Sequence, residues 1–189
     1  MFAFCVSIWP ALAMAEADLE VDVELFLAVD VSRSMAPFEL EIQRRGYASA
    51  LKSDVVINAI RGGPIGRIAL TYVEWAGVHS QKVVVPWTQI ETAEDARAVA
   101  QQITAHFDEG MRRTSISQAL RYAVEDIENN KFIGLRRVID VSGDGPNNEG
   151  AHVDVVRDAV LARRITINGL PLMTRDGFSD RWGIEDLDE

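Results

Sequence analysis

Cys5 is the only cysteine in this chain of 189 residues. A single thiol excludes an intrachain disulfide framework, a thiolate zinc site and Cys-x-x-Cys redox chemistry. Histidine is nearly as scarce. His79, His106 and His152 are scattered, and none sits in a His-Glu-x-x-His zinc motif. Also missing are a Gly-x-Ser-x-Gly nucleophile elbow and a Gly-x-x-x-x-Gly-Lys-Ser/Thr phosphate loop. No basic cluster is present, and the net charge is −10. That field repels a phosphate backbone, so nucleic acid is excluded as an expected partner.

What remains is ordinary globular composition, 48% hydrophobic and 25% charged, in a length that suits one domain with a sizeable core. Met1 to Ala15 carries no charge and ends in Ala13-Met14-Ala15, a small-x-small pattern, before Glu16 opens a polar stretch. This reads as the apolar core and cleavage site of a signal peptide, without the usual positive n-region, with a buried N-terminal strand as the alternative. The segment is too short to span a bilayer as an ordinary helix. Removal of residues 1–15 takes Cys5 with it and leaves a mature domain over 16–189 with no thiol. No stable membrane insertion of that mature chain is expected. A periplasmic or secreted bacterial protein fits this pattern.

Leu25-Phe26-Leu27-Ala28-Val29 is apolar without a break, as in a strand buried on both faces. It ends in Asp30-Val31-Ser32-Arg33-Ser34. A carboxylate and two hydroxyls at alternate positions point the same way as the chain leaves the strand. Oxygen donors of this kind suit a hard cation that keeps some of its waters. Beyond Ala36-Pro37 the spacing of Leu40, Ile42, Tyr47, Leu51, Val55 and Ile60 predicts one helix from about 38 to 59. Arg61 to Gly66 is a turn cluster. Strands follow at 67–75 and 81–87, joined as a hairpin around His79. Thr92 is an N-cap for a helix reaching about 107. A loop leads to a helix over 116–130. Next come a buried-type strand over 137–142, the turn-rich Gly143 to Asn148, a helix over 153–163 and a strand over 164–172. The tail, 173–189, is polar, with Trp182 and Ile184 as its apolar anchors.

Alternating strands and helices with one hairpin predict a three-layer α/β domain with a mainly parallel sheet. Ligands of such sheets bind beyond the carboxyl ends of the strands, where strand order reverses. Asp30, Ser32 and Ser34 follow one apolar strand and Asp144 follows another, so one crevice can receive both. Taken singly, each residue has a simpler reading. Ser32, Ser34 or Thr114 can cap a helix, and Asp144-Gly145 can be only a turn. Asp140, inside its strand, competes with Asp144. Asn147 and Asn148 belong to the rim.

Three segments, Asp30-Val31-Ser32-Arg33-Ser34, Thr114-Ser115-Ile116-Ser117-Gln118-Ala119-Leu120 and Asp144-Gly145, together resemble the von Willebrand factor A-type (vWA) domain with its metal-ion-dependent adhesion site (MIDAS). The resemblance covers about residues 22–172. The leader and Ser142-Gly143-Asp144-Gly145-Pro146-Asn147-Asn148 also resemble an uncharacterised group of exported bacterial proteins within that superfamily. The resemblance implies a Rossmann-like vWA fold with one antiparallel strand. That fold normally closes with a further strand and a long helix. Neither is legible before Glu189, so the expectation is a domain lacking both, its C-terminal end truncated.

The resemblance also implies roles. Ser32 and Ser34 bind the cation directly, Thr114 directly or through water, and Asp30 and Asp144 mainly through bridging waters. The cation is Mg²⁺, with Mn²⁺ possible. One position is left for a Glu or Asp carboxylate of a partner protein. Apart from the resemblance, Arg112 and Arg113 beside Thr114 can steer such a ligand, although an exposed pair on a loop is the commoner meaning of two adjacent arginines. The sharpest rival is a Mg²⁺-dependent phosphatase of the haloacid-dehalogenase type, whose late loop Gly143 to Asn148 resembles. That enzyme needs an Asp two residues after its nucleophile as general acid, and Ser32 stands there instead. A cation that merely ties loops together is the third possibility. The reading carried forward is a binding domain, not an enzyme.

Overall fold

The apolar run from Leu25 to Val29 lies at the centre of a five-stranded sheet, inside β1 (Leu19–Asp30). The computed structural model describes residues 18–105 and 111–172. The expected leader over 1–15 with Cys5, His106, the expected helix end near Phe107 and the tail 173–189 lie outside the described residues.

After β1 come α1 (Pro37–Leu51), α2 (Asp54–Arg61), β2 (Ile68–Trp75), β3 (Gln81–Ile90) and α3 (Ala93–Ala105). Then follow α4 (Ile116–Glu128), β4 (Phe132–Gly143), α5 (Val153–Leu161) and β5 (Ile165–Pro171). The strand order is β3-β2-β1-β4-β5. β1 is parallel to both β2 and β4, and β4 is parallel to β5. Among the described residues the β2–β3 hairpin supplies the one antiparallel pair. This is the α/β, vWA-like arrangement that the sequence pattern predicts.

Residue parity along the strands sorts the core into two layers. Phe26, Ala28, Val73, Trp75, Ile139 and Val141 pack under α4 and α5. Leu27, Val29, Leu70 and Tyr72 pack under α1, α2 and α3. With β1 neighbouring β2 on one side and β4 on the other, the chain's course reverses at β1. The carboxyl ends of β1 and β4 lie side by side, with Val29 paired to Ser142. That is where a ligand crevice is expected in an open α/β sheet.

The expected helix over 38–59 is two helices. Ser53 restarts the chain, its Oγ accepting from the Val56 amide at 3.3 Å. Phase shifts with the break, so Val55 is 79% exposed. Ile42 also points outward, at 64% exposure. The sheet-facing positions beside it belong to buried Gln43 and Arg44. β1 and β4 both start earlier than their apolar runs. The extra residues of β1 include two buried acids, each held by backbone amides. Asp22 accepts from Ile65 and Gly66 at 3.0 and 2.8 Å, and Glu24 accepts from Gly134 at 2.7 Å. No helix among the described residues is long and apolar enough to cross a membrane.

Candidate metal centre

Asp30 ends β1 fully buried. Its Oδ1 accepts from the Ser32 amide at 2.7 Å, a side-chain turn two residues long that folds the loop back over the strand end. This turn puts Ser32 Oγ 2.9 Å from Ser34 Oγ. Ser34 Oγ in turn donates to Asp144 Oδ1 at 2.8 Å, on the loop that leaves β4. Asp30, Ser32, Ser34 and Asp144 therefore form one connected cluster at the β1–β4 switch point.

Neither serine is spent on capping α1. The N-cap is Ala36, whose amide donates to Glu39 Oε2 at 2.7 Å. Thr114 is likewise not the cap of α4. Ser115 takes that role, accepting from the Gln118 amide at 3.3 Å. The three hydroxyls that can be read as helix caps thus have other surroundings.

Thr114 is buried and enters from a third segment. Met111 bridges to Ser32, with its amide donating to Val31 O at 2.8 Å. The Ser115 amide donates to Ala76 O at 2.7 Å, just past β2. Between them Arg113 adopts φ 72°, a left-handed turn that costs a side-chain-bearing residue about 1 kcal/mol or more. Thr114 is then clamped by Asn148, whose Oδ1 accepts from the Thr114 amide at 3.0 Å. The Asn148 amide donates back to Thr114 O at 2.9 Å. The structure so brings the loop of Thr114 to the carboxyl edge shared by Asp30 and Asp144. Asp140 takes no part. It pairs across the strands with Asn168, whose Nδ2 donates to it at 2.6 Å.

Sequence reasoning did not find the groups that hold the cluster from below. Gln43 on α1 donates to Asp30 O at 3.0 Å and accepts from Ser142 Oγ at 3.2 Å, tying α1 to β1 and β4. Glu149 accepts from the Val78 amide at 2.9 Å and joins the β2 loop to the β4 loop. Ser115 Oγ donates to Glu149 O at 2.9 Å. Isolated amides and acids of this kind carry no spacing signal.

The cluster is short of positive charge. Burial pushes the Asp30 carboxyl up to about 6, only partly offset by hydrogen bonds from Ser32, and the nearby Asp144 charge raises it further. Burial likewise raises Asp144, against the opposing hydrogen bond from Ser34. Asp30 Oδ2 is buried with no hydrogen-bond partner, an expensive state for a carboxylate oxygen. A Cβ at residue 143 would come within 3.1 Å of that oxygen, so Gly143 is what lets β4 approach so closely. Two carboxylates, three hydroxyls and one unsatisfied oxygen match the donor set of a hard divalent cation. Among the described residues no group of three or more His, Cys, Asp or Glu converges, so any site here depends on hydroxyl donors.

The chain belongs to the family described as "Protein of unknown function (DUF1194)", whose model matches residues 20–189. No curated protein matches it. Among solved structures it is similar to proximal thread matrix protein 1 from the mussel byssus, with a TM-score of 0.62 at 17% identity. That match covers 84% of this chain and 40% of the mussel chain, so this chain spans about two fifths of that relative's length. A second structure of the mussel protein, described with a zinc-occupied MIDAS motif, matches equally well at TM-score 0.62 and 17% identity, over 84% of this chain and 40% of that one. An aerotolerance-related membrane protein from Bacteroides fragilis matches at TM-score 0.56 and 22% identity, covering 82% of this chain and 70% of its own. These likenesses establish the vWA-like fold. They lend no support to the phosphatase alternative.

Proposed function

We propose that this chain is a metal-dependent, adhesion-type protein-binding domain rather than an enzyme. A divalent cation held by Asp30, Ser32, Ser34, Thr114 and Asp144 leaves one coordination position for a Glu or Asp carboxylate of a partner. The observation that carries the reading is the connected run of Asp30, Ser32, Ser34 and Asp144 beside a buried, partnerless carboxylate oxygen. When bound, the cation supplies charge that joins two acidic surfaces. The chain's own residues orient the donors. The turn at Asp30 aims Ser32, the Ser34–Asp144 bond fixes the β4 loop, and Asn148 holds Thr114.

Oxygen donors with few carboxylates favour Mg²⁺, with Mn²⁺ close behind. The mussel neighbour's zinc-occupied motif adds Zn²⁺ to the ions worth testing. The uncharged leader favours work outside the cytoplasm, in a periplasm or after secretion. The exposed Arg33, Arg112 and Arg113 favour an acidic partner.

Calorimetric titration of the metal-stripped chain over residues 16–189 with Mg²⁺, Mn²⁺ and Zn²⁺ tests this, beside an Asp30→Ala/Ser32→Ala variant. Saturable binding that the variant loses supports the reading. Folded protein that binds none of the three ions sinks it. Binding that no acidic peptide ever modulates would leave only a cation that ties loops together.

A further inference from the structure

Trp75 ends β2 beside Asp30 at the end of β1, the two residues paired in register. Both are buried, and each keeps one side-chain polar atom with no hydrogen-bond partner among the described residues. For Asp30 this is the acceptor Oδ2, and for Trp75 the donor Nε1. The two side chains meet at one glycine. A Cβ at residue 143 would lie 3.1 Å from Asp30 Oδ2 and 3.6 Å from Trp75 Cζ2, the ring carbon two bonds from Nε1. The side chains that share this layer of the core and line the adjacent groove, Ile116, Leu120 and Val141, carry no acceptor. Trp87 gives the contrast, because its Nε1 donates straight to Asp126 Oδ2 at 2.7 Å.

A buried donor and a buried acceptor that both stay open are expensive. One water satisfies both, accepting from the indole and donating to the carboxylate. A groove of about 330 Å³, lined by Trp75 and Gly143, gives such a water its way in. We infer that Trp75 is a positioning residue of the metal centre: through one ordered water its indole N–H holds Asp30 Oδ2, as the Ser32 amide holds Oδ1. With both oxygens held, the carboxylate cannot swing about its Cβ–Cγ bond, and a cation meets it already oriented. The inference rests on the metal-dependent binding proposed above and adds a residue that acts on the cation only through Asp30.

NMR of the chain over residues 16–189 with ¹⁵N-labelled indoles tests this. Its tryptophans are Trp75, Trp87 and Trp182, and the peak lost in Trp75→Phe assigns the first. In the metal-free wild type the Trp75 indole N–H should show cross-relaxation with a long-lived water, and the Trp87 N–H should not. Mg²⁺ should shift the Trp75 peak saturably, with the midpoint found by calorimetry, and leave the Trp87 peak in place. Trp75→Phe also shrinks the core, so the decisive replacement is the benzothiophene analogue of tryptophan translated at residue 75. It keeps the shape of the ring and lacks the N–H. Mg²⁺ affinity should fall about tenfold in the analogue, the lower end of the scale for groups that orient a metal ligand.

Unchanged Mg²⁺ affinity in the folded analogue overturns the inference and leaves the cation reading standing. A wild-type Trp75 N–H without water contact overturns it as well, because the link from indole to carboxylate is then absent. Wild-type protein that shows the water contact yet binds no ion makes the link a feature of the core alone. That result overturns its role at a metal together with the function proposed above.

Discussion

Ser34 Oγ donates to Asp144 Oδ1 at 2.8 Å, joining two loops 110 residues apart in the chain. The bond exists because β1 and β4 are parallel neighbours whose carboxyl ends arrive together, and because Gly143 lets Asp144 lie over Asp30. It is an exposed bond between a hydroxyl and a carboxylate, so its weight in folding is small and its weight in positioning is large.

Ser34→Ala should therefore separate the two. Loss of an exposed hydrogen bond should cost about 0.5–1 kcal/mol of stability, close to the lower end for such bonds. Loss of a direct donor and of the Asp144 anchor should weaken Mg²⁺ binding by at least about tenfold, the scale on which supporting groups act at metal sites. Thermal unfolding beside calorimetry of the same sample reads both.

The pH dependence follows from Asp30. Its carboxyl sits at about 6 in the fold against a reference of 3.8. A raised acid favours the fold fully below the lower value, and that contribution is lost as pH rises through about 6. Asp30→Asn removes the burdened charge. The metal-free variant should melt above the wild type at pH 7, and the gain should shrink between about pH 6 and 4. The metal dependence has the opposite sense. Mg²⁺ needs the ionised form, so its affinity should weaken as pH falls below about 6, with proton release on binding. Paired melts and calorimetry in two buffers of different ionisation enthalpy check both halves.

Among the described residues the hydrogen bonds of Asn148 run to Thr114. Asn148→Ala removes the acceptor of the Thr114 amide and leaves the exposed turn otherwise intact. Mg²⁺ affinity should fall several-fold, less than for Ser34→Ala, and stability should drop by about 1–2 kcal/mol because the Thr114 amide loses its acceptor. Equal affinity in the variant would mean that the position of Thr114 is irrelevant to the cation.

Arg44 and Glu74 form a buried pair at 2.7 Å beneath α1. Arg44→Leu leaves the Glu74 carboxylate buried without its cation, a change worth about 3–5 kcal/mol. Denaturant unfolding should show that loss. Replacing both residues by Leu and Met should restore much of it.

How far the chain could be read in advance depends on whether a residue speaks through a pattern or through a partner. Leu25 to Val29 announces a buried strand, and Asp30, Ser32, Ser34 and Asp144 fall where apolar runs end. The fold class and the cluster were legible on those grounds. Glu20, Asp22 and Glu24 disguise the first half of β1, because the amides of Ile65, Gly66 and Gly134 that accommodate the two buried acids lie far away in sequence. Ser53 hides the break between α1 and α2, since a serine after a lysine is a cap only once its Oγ has found Val56. Gln43 and Asn148 are single amides whose roles appear only when three loops meet. A groove beside Asp144 is lined from five elements, β2, α4, β4, α5 and β5, and no stretch of sequence contains it.

The most direct test of the account is a crystal of the chain grown with Mn²⁺ and measured at the manganese absorption edge. One anomalous peak should lie within about 2.0–2.3 Å of Ser32 Oγ and Ser34 Oγ, close to the short oxygen distances of small hard cations. It should be reached directly or through water from Thr114, Asp30 and Asp144, and be gone in Ser32→Ala/Ser34→Ala crystals. A peak held elsewhere, or none at saturating Mn²⁺ in well-ordered crystals, would contradict it.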